Sequence, residues 1–184
     1  MSAVLDALYH GRTDEANRLA SERGAGSLSI HEAAALGVTA RLEQLIDEDP
    51  SSVNAFAADG FQPLGLAAFF GRREAAELLL ARGGEVNTPS RNAQGVTALH
   101  AALSSPDPSF AVALIDAGAD VNAQQASGVT PLHETAYNGD LELTQLLLAH
   151  GADRSKTDSS GRSAAAMAGA RGHSAVADLL EAAR

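Results

Sequence analysis

The sequence predicts an all-α solenoid of stacked helix-turn-helix units with β-hairpin loops, about five repeats plus an N-terminal helical cap. Three observations predict it. Glycines recur in register: Gly26, Gly60, Gly95, Gly128 and Gly161 are 34, 35, 33 and 33 residues apart, Gly37, Gly71, Gly139 and Gly172 follow four of them by eleven positions, and Gly83, Gly118 and Gly151 follow three by 23. The chemistry between the glycines recurs too. Gly128-Val-Thr-Pro-Leu-His133 is echoed by Gly95-Val-Thr-Ala-Leu-His100 and loosely by Gly60-Phe-Gln-Pro-Leu-Gly65 and Gly26-Ser-Leu-Ser-Ile-His31; Gly118-Ala-Asp-Val-Asn122 matches Gly83-Gly-Glu-Val-Asn87 and, shortened, Val53-Asn54. A fixed period over several copies is the signature of a repeat array. Third, 45% of residues are hydrophobic but only 4% aromatic, so the interior is built from alanine, leucine and valine, which suits closely packed helices.

Residues 128 to 151 show how one unit is built. Thr130 is placed to cap a helix by accepting a backbone N–H two or three residues on, and Pro131 suits the first helical position. Gly139 supplies the left-handed residue that ends this helix, and a second amphipathic helix over 141–150 stops at Gly151 for the same reason. The Asp-Val-Asn stretch and the next glycine make an extended turn into the following unit. One helical hairpin cannot bury its apolar face alone, so neighbours stack in a row.

The ordered Thr-Pro-Leu-His and Gly-Ala-Asp-Val-Asn signatures resemble those of the ankyrin-repeat family, strongly over 26–184 and loosely over 1–25. The resemblance divides a single domain, 1–184, into an N-terminal cap (1–25), repeats at 26–59, 60–94, 95–127 and 128–160, and a C-terminal capping repeat (161–184). It also implies that His100 and His133 are structural, bonding to Thr97 and Thr130 and to nearby backbone. Departures mark special places. Repeat 1 has Asp49-Pro50 for the Gly-Ala pair. Repeat 2 has Gln62 at the cap and Gly65 for the histidine, and its exit loop over 88–93 is two residues long for the period. Repeat 3 carries Pro106 where the helix-ending glycine belongs, so the loop through Pro108 is expected to be stiff. The last unit reads Ser163-Ala-Ala-Ala166 and, with Asp178, Glu181 and Arg184, has the polar character of an end cap.

Several classes of function are excluded. Lys plus Arg number 13 against 23 Asp plus Glu, a net charge of −10, and no basic run exceeds Arg72-Arg73, so nucleic acid is not an expected partner. There are no cysteines, which removes thiolate metal and redox chemistry. The opening residues have no basic start followed by an apolar run, and no window approaches a membrane span, so a cytoplasmic protein is expected. His31-Glu32 begins like a zinc-protease motif, but Ala35 stands where the second histidine is required. His10, His150 and His173 fall at helix ends, where a basic side chain favours the terminus or meets solvent. Gly24-Ala-Gly26 lacks the third glycine and preceding strand of a nucleotide loop, and Lys156, the sole lysine, follows no glycine-rich loop. No catalytic residue, metal site or cofactor is expected.

What remains is binding. In the family, the residues before each helix-ending glycine and the loop positions around the first glycine face a concave groove. Here these include Phe56, Asp59, Phe61, Phe69, Phe70, Val96, Val129, Tyr137, Asn138 and Arg162. Six of the seven aromatic residues fall there, Phe110 being the exception as a core residue of a second helix. With Arg72, Arg73 and Arg82 nearby, these rings have the composition of interface anchors, centred on repeat 2 with Tyr137 as a second contact. The competing reading is that Phe69 or Phe70 fills the space left by Gly65. The expected function is a non-catalytic protein-binding module or small adaptor. The alternative is an acidic regulatory or inhibitory subunit of a basic or nucleic-acid-binding protein. A monomer is expected, with a homodimer through the aromatic patch as the competing arrangement.

Overall fold

The structure, a computed structural model, describes residues 1–105 and 109–182. The proline loop of repeat 3 and the terminal Arg184 lie outside these residues. Among the described residues twelve α-helices form six successive pairs. They are α1 (Ala3–Tyr9) with α2 (Thr13–Arg23), α3 (Ile30–Leu36) with α4 (Thr39–Glu48), and α5 (Pro63–Phe69) with α6 (Arg73–Ala81). The chain continues with α7 (Ala98–Leu103) and α8 (Phe110–Asp116), α9 (Pro131–Asn138) and α10 (Leu141–Ala149), then α11 (Ala164–Ala170) and α12 (Ser174–Glu181). The first helix of each pair packs on the first helix of the next, α1 on α3 and onward to α11, making an inner layer.

The inner layer is held together by small residues. Ala33, Ala34, Ala67, Ala68, Ala101, Ala102, Ala136 and Ala168 are buried, and so are the leucines set between layers, among them Leu42, Leu64, Leu79, Leu99, Leu114, Leu132 and Leu147. Alanine at these positions lets helix backbones approach closely without loss of helix propensity. Phe110 is buried in this core, as its place in α8 predicts. The N-terminal pair is a full helical hairpin without an extended loop. It is tied on by Arg23, whose guanidinium lies 2.7 Å from the buried Glu32 carboxylate.

The expected hairpin loops are present in reduced form. Each is closed by one bond: Ala57 N–H to Phe61 O, Ser90 to Val96, Gln125 to Val129 and Asp158 to Arg162, at 2.8 to 2.9 Å. Among the described residues the only β pairing is an isolated bridge between Thr157 and Ser163. The loop tips also bond to one another, Arg91 N–H to Gly60 O, Ala126 to Gln94 O and Ser159 to Ser127 O. This approach leaves no room for a side chain at Gly60, where a Cβ would lie 2.6 Å from the Asn92 nitrogen.

Side chains staple each hairpin to the next at three radii. On the outer edge Asn54, Asn87 and Asn122 each donate to one backbone carbonyl of the next repeat (Gly83, Gly118, Gly151) and accept from one N–H (Glu85, Asp120, Asp153), at 2.7 to 3.0 Å. Between the layers His31, His100 and His133 bond through Nε2 to the carbonyls of Ala55, Val129 and Arg162. On the inner edge Arg72 Nε donates to Ala35 O and His173 Nε2 to Tyr137 O. These two side chains sit at the same repeat position, over Gly37 and Gly139; a Cβ on Gly139 would lie 2.7 Å from His173 Cγ. His173 thus does not serve a helix C-terminus. It precedes α12 and reaches back across the stack.

The contact that the resemblance implies between Thr97 and His100 is present. The Thr97 side chain makes no cap bond, and its hydroxyl lies 2.8 Å from His100 Nδ1. Thr130 and His133 repeat the contact at 2.8 Å, with the Thr130 N–H also donating to Nδ1. A carbonyl accepts only, so Nε2 carries the proton and Nδ1 must be the acceptor; the threonine hydroxyl is the donor that a buried ring nitrogen needs.

Two outcomes follow. Asn87→Ala removes both bonds of one outer staple and should lower stability by about 1 to 2 kcal/mol, read as a lower urea midpoint. Burial pushes His100 down to about 4, against the opposing effect of the Val129 carbonyl. Between about pH 6.5 and 4 the unfolded chain then binds the proton that the folded ring refuses. Stability should fall across that window, and subtracting the profile of His100→Gln should isolate a loss of about 2 to 3 kcal/mol.

Candidate functional site

The inner helices and loop tips build the concave face, and the expected binding residues separate there into two groups. The first surrounds repeat 2. Phe69 and Phe70 meet edge to face with centroids 5.1 Å apart, and Tyr9 from the N-terminal cap contacts both, at 5.9 and 5.2 Å. The Tyr9 hydroxyl donates to Asp59 Oδ2 at 3.0 Å, and burial together with that carboxylate holds the phenol well above its ordinary range. Each ring is half-buried. The space beside Gly65 is taken by neither Phe69 nor Phe70. It is Phe61, whose Cδ1 would be 3.3 Å from a Cβ at that position. Val96 is half-buried, its N–H bonded to Ser90 Oγ.

The arginines near these rings are not those expected. Arg73 pairs with Glu77, Arg82 with Asp47, and Arg72 serves the inner staple. Arg91 instead lies over the Phe56 ring at 3.8 Å, and Arg171 over Tyr137 at 4.0 Å. Arg91 comes from the long exit loop of repeat 2, whose two additional residues carry it back to the preceding tip. Such guanidinium–ring stacks contribute roughly 0.5 to 1 kcal/mol at exposed sites.

The second group lines a groove of about 720 Å³ between α7, α9 and α11, bounded by Leu103, Ser104, Tyr137, Val129, Arg162 and Met167 among others. Tyr137 is 47% exposed, the most open ring of the concave face. Asn138 holds the groove wall by donating to Leu103 O at 3.4 Å. Arg162 is paired with Asp158 at 2.9 Å, and the Ser160 hydroxyl and Arg162 N–H hold that carboxyl well below its usual range.

Glu134 also lines this groove and was not among the expected residues. Gln125 Nε2 donates to its Oε1. Its Oε2 is buried and has no hydrogen-bond partner among the described residues. Burial pushes the carboxyl up to about 8, only partly offset by Gln125. Glu32, at the same place in repeat 1, behaves in the opposite way. Burial would raise it, but the Ser29 N–H and the Arg23 guanidinium outweigh that and hold it below the ordinary value. The sequence signal was the repeated His-Glu pair itself, His31-Glu32 and His133-Glu134, read together with the residue nine positions upstream.

These elements define a stacked helical-hairpin protein with an open concave face. The family model for ankyrin repeats (3 copies) matches residues 30–125 and 105–183. The chain belongs to the ankyrin-repeat family. Ankyrin repeats are generally protein–protein interaction modules and typically non-catalytic. No curated protein matches the chain.

Glu134 gives a third outcome. A carboxyl raised by folding stabilises the native state below the unfolded value, near pH 4.5, and that contribution is lost as pH rises towards 8. Glu134→Gln keeps the shape and cannot ionise. It should exceed the parent in stability by about 2 to 3 kcal/mol at pH 7 and by little at pH 4, as measured by urea denaturation.

Proposed function

We propose that the chain is a non-catalytic interaction module, or small adaptor, that holds one partner protein on its concave face. The observation that carries this reading is the groove of repeats 3 to 5, which is lined both by the exposed Tyr137 and by the incompletely paired carboxyl of Glu134. Both are features that packing alone does not reward. Phe56, Asp59, Phe61, Phe69, Phe70, Arg72 and Val96 extend the proposed surface towards the N-terminal cap, and Val129, Asn138 and Arg162 complete it around Tyr137. Among the described residues no helix is long and apolar enough to cross a membrane, and no group of three His, Asp or Glu side chains is placed to hold a metal. The proposal includes a cytoplasmic, monomeric protein that does not bind nucleic acid, in keeping with the net charge of −10.

That charge also favours a second reading, an acidic regulatory or inhibitory subunit engaging a basic surface. Salt separates the two: binding that collapses from low to moderate ionic strength marks the electrostatic mode, and persistence marks apolar anchoring.

The test uses partner binding measured alongside thermal melting. Tyr137→Ala should weaken binding by about tenfold or more with the melting temperature nearly unchanged, as expected for an interface anchor. The Phe69→Ala, Phe70→Ala double change should weaken binding as well. If it lowers the melting temperature strongly while binding persists, the pair belongs to the cap interface instead. Binding indifferent to all three changes would sink the concave-face reading.

A further inference from the structure

Glu32 and Glu134 are 102 residues apart, as are Gly26 and Gly128, His31 and His133, and Gly37 and Gly139. They are one position seen in two repeats, and the structure completes it in only one of them. At Glu32 the chain supplies its own partners. Arg23 Nη1 donates to Oε1 at 2.7 Å, while the Ser29 N–H and hydroxyl donate to Oε2 at 2.9 and 3.0 Å. Shifted by the same 102 residues, those donors become Gln125 and Pro131. Gln125 still reaches Oε1, but without a charge. Pro131 has neither an N–H nor a hydroxyl to offer, and Oε2 is left buried without a partner among the described residues. Ionising a buried carboxyl that lacks a partner is costly, and a cation hydrogen-bonded to it relieves that cost.

The other charged groups facing the groove are committed elsewhere. Arg162 pairs with Asp158, Arg171 lies on the Tyr137 ring, and His133 is bonded at both nitrogens, to Thr130 and to Arg162 O. Beside the carboxylate lies open space with an apolar lining of Leu103, Val129, Met167 and the Tyr137 ring. Glu134 itself lines this groove.

We propose that the cation missing at Glu134 is supplied by the partner protein, as a lysine or arginine side chain that enters the groove between α7, α9 and α11 and pairs with Glu134 while its aliphatic stem lies along Tyr137. The inference rests on the concave-face reading and narrows it to a basic side chain at one place. A net charge of −10 draws basic segments towards the chain before contact.

Pools of nine-residue peptides with a fixed central arginine, lysine, citrulline or norleucine, and random flanks free of lysine and arginine, test the idea against the full chain. The arginine and lysine pools should bind at least about tenfold more tightly than the two uncharged pools, a preference of the size a buried charge pair gives. Glu134→Gln should abolish that preference. Gln125→Arg should abolish it too, by placing the chain's own cation as Arg23 is placed at Glu32, and should raise the melting temperature at pH 7. A preference that survives either change overturns the proposal. If all four pools bind alike and Tyr137→Ala removes the binding, the inference fails and the concave-face reading stands. If no pool binds at up to roughly 1 mM, both fail.

Discussion

The structure depends on one constraint: a pair of helices of about two turns each cannot cover its own apolar face, so every hairpin is stable only through its neighbours. In this chain the shared faces are alanine-rich, and alanine contacts are weakly directional. Register is therefore set by side chains that bond to the backbone of an adjacent hairpin. The outer asparagines, the histidines between the layers and the inner pair of Arg72 and His173 act at different radii of the same stack. Repeat 2 shows what happens when one of them is lost. With Gly65 in place of histidine, Gln62 bonds to Asn54 O instead, and the Phe61 ring fills the vacated volume.

Much of this was legible in the sequence because glycine and proline act locally. Every residue with positive φ among the described ones is a glycine, so the three glycine series marked the turns directly. Side-chain partners were less legible, because they are chosen across repeats. The Thr97–His100 contact was legible only through the recurring signature, while the carbonyl that His100 reaches, Val129 O, lies in the next repeat. Arg91 and Arg171 were hidden for a related reason: each stacks on a ring contributed by an earlier repeat, far from it in sequence. Glu134 was the hardest to read. It shares its local pattern with Glu32, and only the substitution of Arg23 by Gln125 and of Ser29 by Pro131 separates a satisfied carboxylate from an unsatisfied one.

The concave aromatics make a related point. The residue before a helix-ending glycine faces both the neighbouring hairpin and the open groove, so composition alone cannot assign it to either. Around repeat 2 three rings knit together and fasten the N-terminal cap through Tyr9 and Asp59. Around repeat 4 the neighbouring positions carry Ser104 and Ala170, which offer no ring to pack against, and Tyr137 stays 47% exposed with only the Arg171 guanidinium over its ring.

The bonded loop tips and the outer asparagine staples run as two series of bonds along the stack. Sliding one hairpin past the next would have to break bonds in both series. The concave face is thereby divided at the helix spacings, about 8 to 10 Å each. An extended polypeptide laid along it advances about 10 Å every three residues. Such a guest would offer one side chain to each division without changing its own shape, and the ordering cost of association would fall on the guest alone.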